Sequence, residues 1–368
     1  MKRFAGLLGL LLTATTLANL NSDNVKVIYG EDNRHDAVDY TKSKVVEASR
    51  STVALVKAST LTVANGLLSV SLTTFAEKMQ LCEGEPFAEQ PAPAFCSGFL
   101  VAPNKIMTAG HCIKSADDCS QTRFLFDFRL EKNQVVRTDF AEDQVYSCKK
   151  VLGWKKEDAG IDYAIIELDR PVVGRTPLTL SNNRKLKPKK GVLVIGHPSG
   201  LPTKITDEAK VRVVRTSEGY FMANLDTYGG NSGSAVLNAK TLEVEGILVR
   251  GEKDFSINAS EDCRYSYHTQ EDSGRGEDVT LITAALENGA PAEVSTGFRY
   301  VWLDSDHTCN LFNGTGFVSE VAATLCGRGT PAVAVPDRYV WLDTDQTCNL
   351  FSGDHYVREV ADNLCGHR

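Results

Sequence analysis

The sequence predicts an all-β protein, and three observations carry the prediction. Residues 51 to 71 alternate apolar and polar positions and are rich in Val, Leu and Thr, the period of half-buried strands. Short apolar runs recur after that, at Phe95–Val101, Phe124–Phe128, Val145–Val151, Ile161–Leu168, Gly191–Gly196 and Val244–Gly251, each bounded by Gly, Pro or polar turn residues. The end of the chain then repeats itself. Arg299-Tyr300-Val301-Trp302-Leu303-Asp304 returns as Arg338-Tyr339-Val340-Trp341-Leu342-Asp343, and Thr308–Phe312 returns as Thr347–Phe351.

Between the strands the punctuation is consistent. Residues 83–94 carry Gly, Pro and Glu and read as a surface loop. Pro171 to Lys190 reads as a connection between two units, and its basic run from Arg184 to Lys190 reads as a solvated loop. Asp278 to Leu286 is apolar at helical spacing, with Asn288-Gly289 as a stop, so a C-terminal helix is expected there. Residues 289–297 read as a linker. Two repeats, 298–327 and 337–368, flank a second linker at 328–336. Each repeat reads as strand, cysteine loop, amphipathic helix and glycine stop, a small α+β unit. A unit that short cannot bury enough core alone, so staples Cys309–Cys326 and Cys348–Cys365 are expected.

At the other end, Lys2 and Arg3, an apolar stretch around Leu7–Leu12 and the small residues Thr16-Leu17-Ala18 form a secretory signal over residues 1–18. That run is too short for a membrane span, and no later segment is long and apolar enough for one. Residues 19–26 read as a short propeptide. Ten cysteines behind such a leader imply disulfides in an oxidising compartment, and hence a secreted protein, extracellular or periplasmic. A net charge of −7 argues against general nucleic-acid affinity, and 42% apolar with 24% charged residues describes an ordinary globular protein.

The chemistry centres on Gly229-Gly230-Asn231-Ser232-Gly233-Ser234. Glycines on both sides of Ser232 allow a sharp bend that exposes its hydroxyl. The N–H groups of Gly230 and Ser232 would then converge on one point, as an oxyanion hole requires. A serine nucleophile needs a base and a carboxylate that orients the base. Thr108-Ala109-Gly110-His111-Cys112 offers His111, and Ile161-Asp162-Tyr163-Ala164-Ile165 offers Asp162 at the head of an apolar run. His197 competes for the role of base, but it sits in a Gly/Pro loop. Asp158 and Asp169 compete with Asp162, but neither begins the apolar strand. The order Ser, Asp, His around G-x-S-x-G of another hydrolase class is excluded, because Ser234 occupies the last glycine's place and the order here is His, Asp, Ser.

These three stretches resemble the chymotrypsin-fold serine proteases, in particular the bacterial V8-like, glutamyl-endopeptidase-like branch with its G-N-S-G-S motif. The resemblance covers roughly residues 25 to 285. It implies two six-stranded antiparallel β-barrels with a C-terminal helix over a domain at 27–288, and a triad of His111, Asp162 and Ser232. It also implies a Cys96–Cys112 bridge under the histidine; for Cys82, Cys119, Cys148 and Cys263 three pairings are open, with Cys119–Cys148 and Cys82–Cys263 as the expectation. Val27-Ile28-Tyr29-Gly30 looks like the mature terminus of the family, although Asn231 cannot form the ion pair of trypsin-type activation. Asp226 falls where the family places the base of the primary specificity pocket, beside Thr227, with Val249, Arg250 and Gly251 on the neighbouring strand. A carboxylate at Asp226 would select Lys or Arg unless it is only a structural hydrogen-bond acceptor, or unless Arg250 neutralises it. Leu248 stands where glutamyl endopeptidases carry the histidine that reads glutamate, which leaves glutamyl specificity as the alternative.

The expected partners are protein or peptide substrates, with neither metal nor cofactor. No C-x-x-C pair occurs, and Asp304, Asp306, Asp343 and Asp345 lack the rest of a calcium loop. Trp302 and Trp341 suit either a small core or a glycan at a cell surface. Two function classes follow: an endopeptidase with a targeting appendage, or a binding protein that uses the protease fold as a scaffold. An intact triad weighs against the second.

Overall fold

The computed structural model describes residues 28–251 and 253–288 in full, and the backbone of six strands between 298 and 360. The expected leader, propeptide, Val27, both linkers, the aspartates at 304, 306, 343 and 345, Cys326 and Cys365 lie outside the described residues. So do the side chains of Trp302, Trp341, Cys309 and Cys348.

The chain enters as β1 (Ile28–Tyr29), β2 (Arg34–Asp36) and the short helix α1 (Ser43–Ser49). It then builds a first barrel. β3 (Thr52–Lys57) is followed by a small hairpin of β4 (Thr62–Ala64) and β5 (Leu67–Ser69), and by α2 (Phe75–Met79). β6 (Cys96–Ala102), β7 (Lys105–Thr108), α3 (Ala116–Ser120), β8 (Thr122–Phe126), β9 (Asp139–Ala141), β10 (Val145–Lys156) and β11 (Asp162–Leu168) complete it. Strands β10, β11, β7, β6, β3 and β8 close on one another in that order. Residues along β3 alternate between two packed clusters, Val53 and Leu55 in one, Ala54 and Val56 in the other, as a strand buried on both faces must.

The second barrel comprises β12 (Gly191–Gly196), β13 (Lys204–Arg215), β14 (Tyr220–Ala223), β15 (Ala235–Asn238), β16 (Val244–Arg250) and, after three short strands, β20 (Glu277–Leu281). Those three are β17 (Phe255–Asn258), β18 (Cys263–Ser266) and β19 (His268–Thr269). The ring runs β12-β15-β16-β20-β14-β13 and closes by pairing β13 with β12, while β2 pairs with the start of β13. Its continuous apolar runs have a physical reason. Val192, Val194, Val236 and Leu248 fill this barrel, while Leu193, Ile195, Ala235, Leu237, Ile247 and Val249 pack into the cluster shared with the first. Strands wedged between two cores have no polar face. Ser232 precedes β15, and the pocket wall is β16, so both lie at this junction.

Two sequence expectations are corrected. The C-terminal helix α4 runs only from Ile282 to Glu287, because residues 277–281 form β20 between β14 and β16. Val279 and Leu281 point into the second core at period two, and Ile282 and Ala285 continue at helical spacing, which blended two patterns into one. In the repeats, the described backbone is a three-stranded meander. β21 (Phe298–Leu303), β22 (Thr308–Asn313) and β23 (Gly316–Val321) form one sheet, and β24 (Arg338–Leu342), β25 (Thr347–Ser352) and β26 (His355–Val360) the other. Strands occupy 316–321 and 355–360, where a helix was expected. Phe-Val-Ser-Glu-Val and Tyr-Val-Arg-Glu-Val are rich in aromatic and β-branched residues, which suit a pleated surface.

Among the described residues, three disulfides join Cys96 to Cys112, Cys119 to Cys148, and Cys82 to Cys263. No helix among the described residues is long and apolar enough to cross a membrane.

Candidate active site

Antiparallel register delivers the base and its carboxylate. Ala164 of β11 pairs with Thr108 of β7, so Asp162 comes opposite Gly110, next to His111. Asp162 Oδ1 accepts the His111 backbone N–H at 3.1 Å, and Oδ2 lies 2.8 Å from Nδ1. Asp162 is buried, and its backbone exchanges two hydrogen bonds with Thr280 Oγ1 of β20, at 3.0 and 3.1 Å. A carboxylate on Nδ1 fixes the imidazole with its proton there and leaves Nε2 as the acceptor. The Cys96–Cys112 bridge ties the residue after His111 to the start of β6, and Cys112 Sγ lies 3.6 Å from the Ser232 carbonyl.

His197 is in the core. It is fully buried, its Nδ1 lies 3.0 Å from the Leu201 carbonyl and its ring stacks on Phe128. Burial pushes its pKa down to about 4, so it stays neutral and faces no cleft. The sulfurs of Cys96 and Cys112 lie close to His111, but both are committed to the disulfide and are not thiolate ligands.

Two glycines shape the loop before β15. Gly230 has φ +96° and Gly233 φ +92°, both in the left-handed region that a side chain resists. A Cβ on Gly233 would lie 2.1 Å from the Ser97 carbonyl. Asn231 N–H bonds the Tyr228 carbonyl, and Gly233 N–H bonds the Leu248 carbonyl. Among the described residues, the N–H groups of Gly230 and Ser232 have no acceptor. The Ser232 hydroxyl is not hydrogen-bonded to His111, a contact that commonly tightens only when substrate is bound.

Beside Ser232 opens a cavity of about 510 Å³. Thr227, Val249, Arg250 and Gly251 line it, as the sequence suggested; Asp226 does not. The correction has a clear cause. Asp226 is 1% exposed and its two oxygens accept the backbone N–H groups of Tyr29 at 2.7 Å and Asn33 at 3.4 Å. It anchors the entering strand, and burial raises its pKa to about 7 despite those bonds. Arg250 does not neutralise it. Its Nε bonds Asp278 at 3.1 Å, and its other nitrogens bond the carbonyls of Glu157 and Gly160.

Sequence reasoning missed the carboxylates that do line the cavity, Asp254 and Glu277. Asp254 accepts the Gly229 N–H at 2.6 Å, and burial raises its pKa to about 6. Glu277 is 3% exposed and accepts a hydrogen bond from Thr227 Oγ1 at 3.1 Å. Tyr228 and Phe255 supply the aromatic wall, with the buried Arg34 guanidinium 4.1 Å from the Tyr228 ring centre. No local motif marks these residues; only the fold gathers them.

With this geometry in place, the chain can be compared with known proteins. Residues 96–247 match the family model for the trypsin-like peptidase domain. Glutamyl endopeptidase of Bacillus licheniformis is 30% identical over 146 residues, 38% of this chain and 44% of that protein. Extracellular metalloprotease of Bacillus subtilis is 28% identical over 155 residues, 38% of this chain and 45% of that protein. Among solved structures, the VesB protease of Vibrio cholerae is similar at 14% identity and a TM-score of 0.42, over 75% of this chain and 69% of that one. Residues 96–247 are thus similar to the trypsin-like peptidase domain, and the fold is a chymotrypsin-type double barrel. Within that class its sequence is similar to glutamyl endopeptidases. The chain spans under half the length of these curated relatives.

Proposed function

We propose that the protein is a secreted serine endopeptidase. The observation that carries this reading is the Asp162 carboxylate 2.8 Å from His111 Nδ1, beside a cavity that Ser232 lines. In the proposed reaction the Ser232 hydroxyl attacks the peptide carbonyl while His111 Nε2 takes its proton. The Asp162 carboxylate stabilises the resulting imidazolium. The N–H groups of Gly230 and Ser232 receive the oxyanion. The imidazolium then protonates the leaving amine, and water, deprotonated by His111, hydrolyses the acyl-enzyme. Secretion is supported by the leader at residues 1–18 and by three disulfides of a kind that persists in oxidising compartments. The repeats beyond residue 297 fall outside the matched region and are assigned to attachment, with hydrolysis independent of them.

For the residue before the scissile bond we assign Lys or Arg, read by Glu277 in place of Asp226. Glu277 lines the same cavity as Ser232 and lies against Gly251, where a Cβ would come within 1.9 Å of its Oε2. A carboxylate on the cavity wall favours a cationic guest over an anionic one. Glutamyl specificity is the second reading, favoured by Arg250, Lys253 and Arg264 on the same cavity and by the name of the similar endopeptidase.

A fluorophosphonate probe should label wild type and not Ser232→Ala; labelling of a different residue would refute the nucleophile. Matched peptides with Lys, Arg, Glu, Leu or Phe before the bond settle the pocket. Glu277→Gln should lower kcat/KM selectively for Lys and Arg, and a wild-type preference for Glu would establish the second reading instead.

A further inference from the structure

The two oxyanion donors sit on a chain of peptides that glycine leaves free to rotate. The Gly229–Gly230 peptide is flanked by a glycine on each side, so little intrinsic barrier keeps its N–H toward the cleft. A trans peptide points its N–H and C=O in opposite directions, so the Gly229 and Asn231 carbonyls aim the Gly230 and Ser232 donors directly, and the adjoining peptides aim them through the shared Cα atoms. Every carbonyl in this stretch is held. The Gly229 carbonyl accepts the Ser199 N–H at 2.6 Å, and the Asn231 carbonyl accepts the Ser234 N–H at 2.9 Å. The peptide between the two donor peptides and the one after the second are both held by one residue outside the loop. Ser97 Oγ donates to the Gly230 carbonyl at 2.9 Å, and Ser97 N–H donates to the Ser232 carbonyl at 2.8 Å.

We propose that Ser97, on β6, is a positioning residue that presets the oxyanion hole, an inference that rests on the serine-peptidase reading above. Its hydroxyl has one orientation available. It accepts the His197 N–H at 2.9 Å, so its own proton is committed to Gly230. The Ser97 carbonyl accepts from Thr108 Oγ1 at 2.6 Å, and the residue is fully buried, so the brace cannot swing. It also couples the two loops that meet at the hole. His197 begins the turn whose Ser199 N–H restrains the Gly229 carbonyl, and Lys78 Nζ holds that turn through the Ser199 carbonyl at 2.9 Å. On the far side, Asp254 fixes the Gly229 N–H. Buried hydrogen bonds of this kind are strong because water cannot compete for them.

Removing a positioning brace lets the donors sample other directions while leaving the substrate's ground-state contacts in place. Ser97→Ala in the full chain should therefore lower kcat about 10- to 100-fold, short of the roughly 10²–10³ that deleting a donor outright costs. KM should stay within about twofold. Affinity for a peptide aldehyde, whose adduct places an oxyanion in the hole, should fall in step with kcat, and the pH profile should not move, since the His111–Asp162 contact is untouched. Ser97→Cys, close to serine in size with a weaker donor, should fall between the two; it also carries the test if Ser97→Ala does not fold. A kcat within twofold of wild type in a folded variant overturns the proposal, as does a loss confined to KM. A wild-type chain that neither hydrolyses peptides nor reacts with the fluorophosphonate overturns the peptidase reading instead.

Discussion

The two barrels contribute to the site in different ways. The first supplies His111 and Asp162 through strand register: β7 and β11 are paired, and the histidine and carboxylate follow from where those strands begin and end. The second supplies Ser232 and the proposed oxyanion donors from a loop and walls the cavity with β16, and the loop's shape depends on buried polar groups drawn from distant parts of the chain. In the proposed reaction, proton transfer rests on backbone pairing between two strands. Oxyanion binding and specificity rest there on side-chain braces, each of which can be removed singly.

That contrast can be broken first at the carboxylate. Asp162→Asn should retain the fold, because β11 does not depend on the charge, yet lose on the order of 10⁴-fold in kcat as the imidazole adopts the wrong tautomer. Steady-state kinetics on a peptide substrate measure this, and a loss under tenfold would mean that the contact does not orient the base. The loop side is tested by two glycines with similar backbone angles. Gly174 has φ +72° with open space around it, whereas a Cβ on Gly233 would lie 2.1 Å from the Ser97 carbonyl and 2.2 Å from Thr108 Oγ1. Gly174→Ala should cost about 1–2 kcal/mol from the left-handed conformation alone, and Gly233→Ala clearly more. Equal losses in denaturant titrations would show that the nucleophile loop is not held against the first barrel.

The smallest effect concerns Asp226. Its folded pKa of about 7 stands above the ordinary aspartate value of 3.8, so between those values the folded state binds the proton more tightly than the unfolded chain. Its contribution is therefore most favourable at low pH and declines as pH rises from about 4 to about 7. Asp226→Asn should flatten that part of the stability–pH curve while leaving the preference for the residue before the scissile bond unchanged. A changed preference would return Asp226 to the pocket.

The same division explains what could be read from the sequence. Acyl-transfer chemistry demands contiguous residues around Ser232 and His111, and the strand after Asp162 announces itself by composition, so the double barrel and its candidate triad were legible. The pocket was not. Asp226 occupies the expected place in the chain, but its oxygens are taken by Tyr29 and Asn33, nearly two hundred residues earlier, and no local pattern encodes that contact. Glu277 enters the cavity from a strand that the sequence read as helix, because Val279 and Leu281 run straight into the spacing of Ile282 and Ala285. Ser97 looked like a strand residue beside a cysteine. Its role depends on which carbonyls the nucleophile loop brings to it.

The Cys82–Cys263 disulfide gives the chain a property that no hydrogen bond could. It spans 181 residues and encloses both the acid–base pair and the nucleophile. It also encloses the exposed basic segment from Arg184 to Lys190, the kind of sequence that an enzyme cutting after Lys or Arg attacks in its neighbours. A single cut there divides the domain into one piece with His111 and Asp162 and another with Ser232, yet Cys82 stays on the first and Cys263 on the second. The nicked molecule remains one covalent object, running as a single band on a gel until a reductant is added and as two afterwards. Self-cleavage in this basic loop would thus leave the two halves of the site tethered to each other.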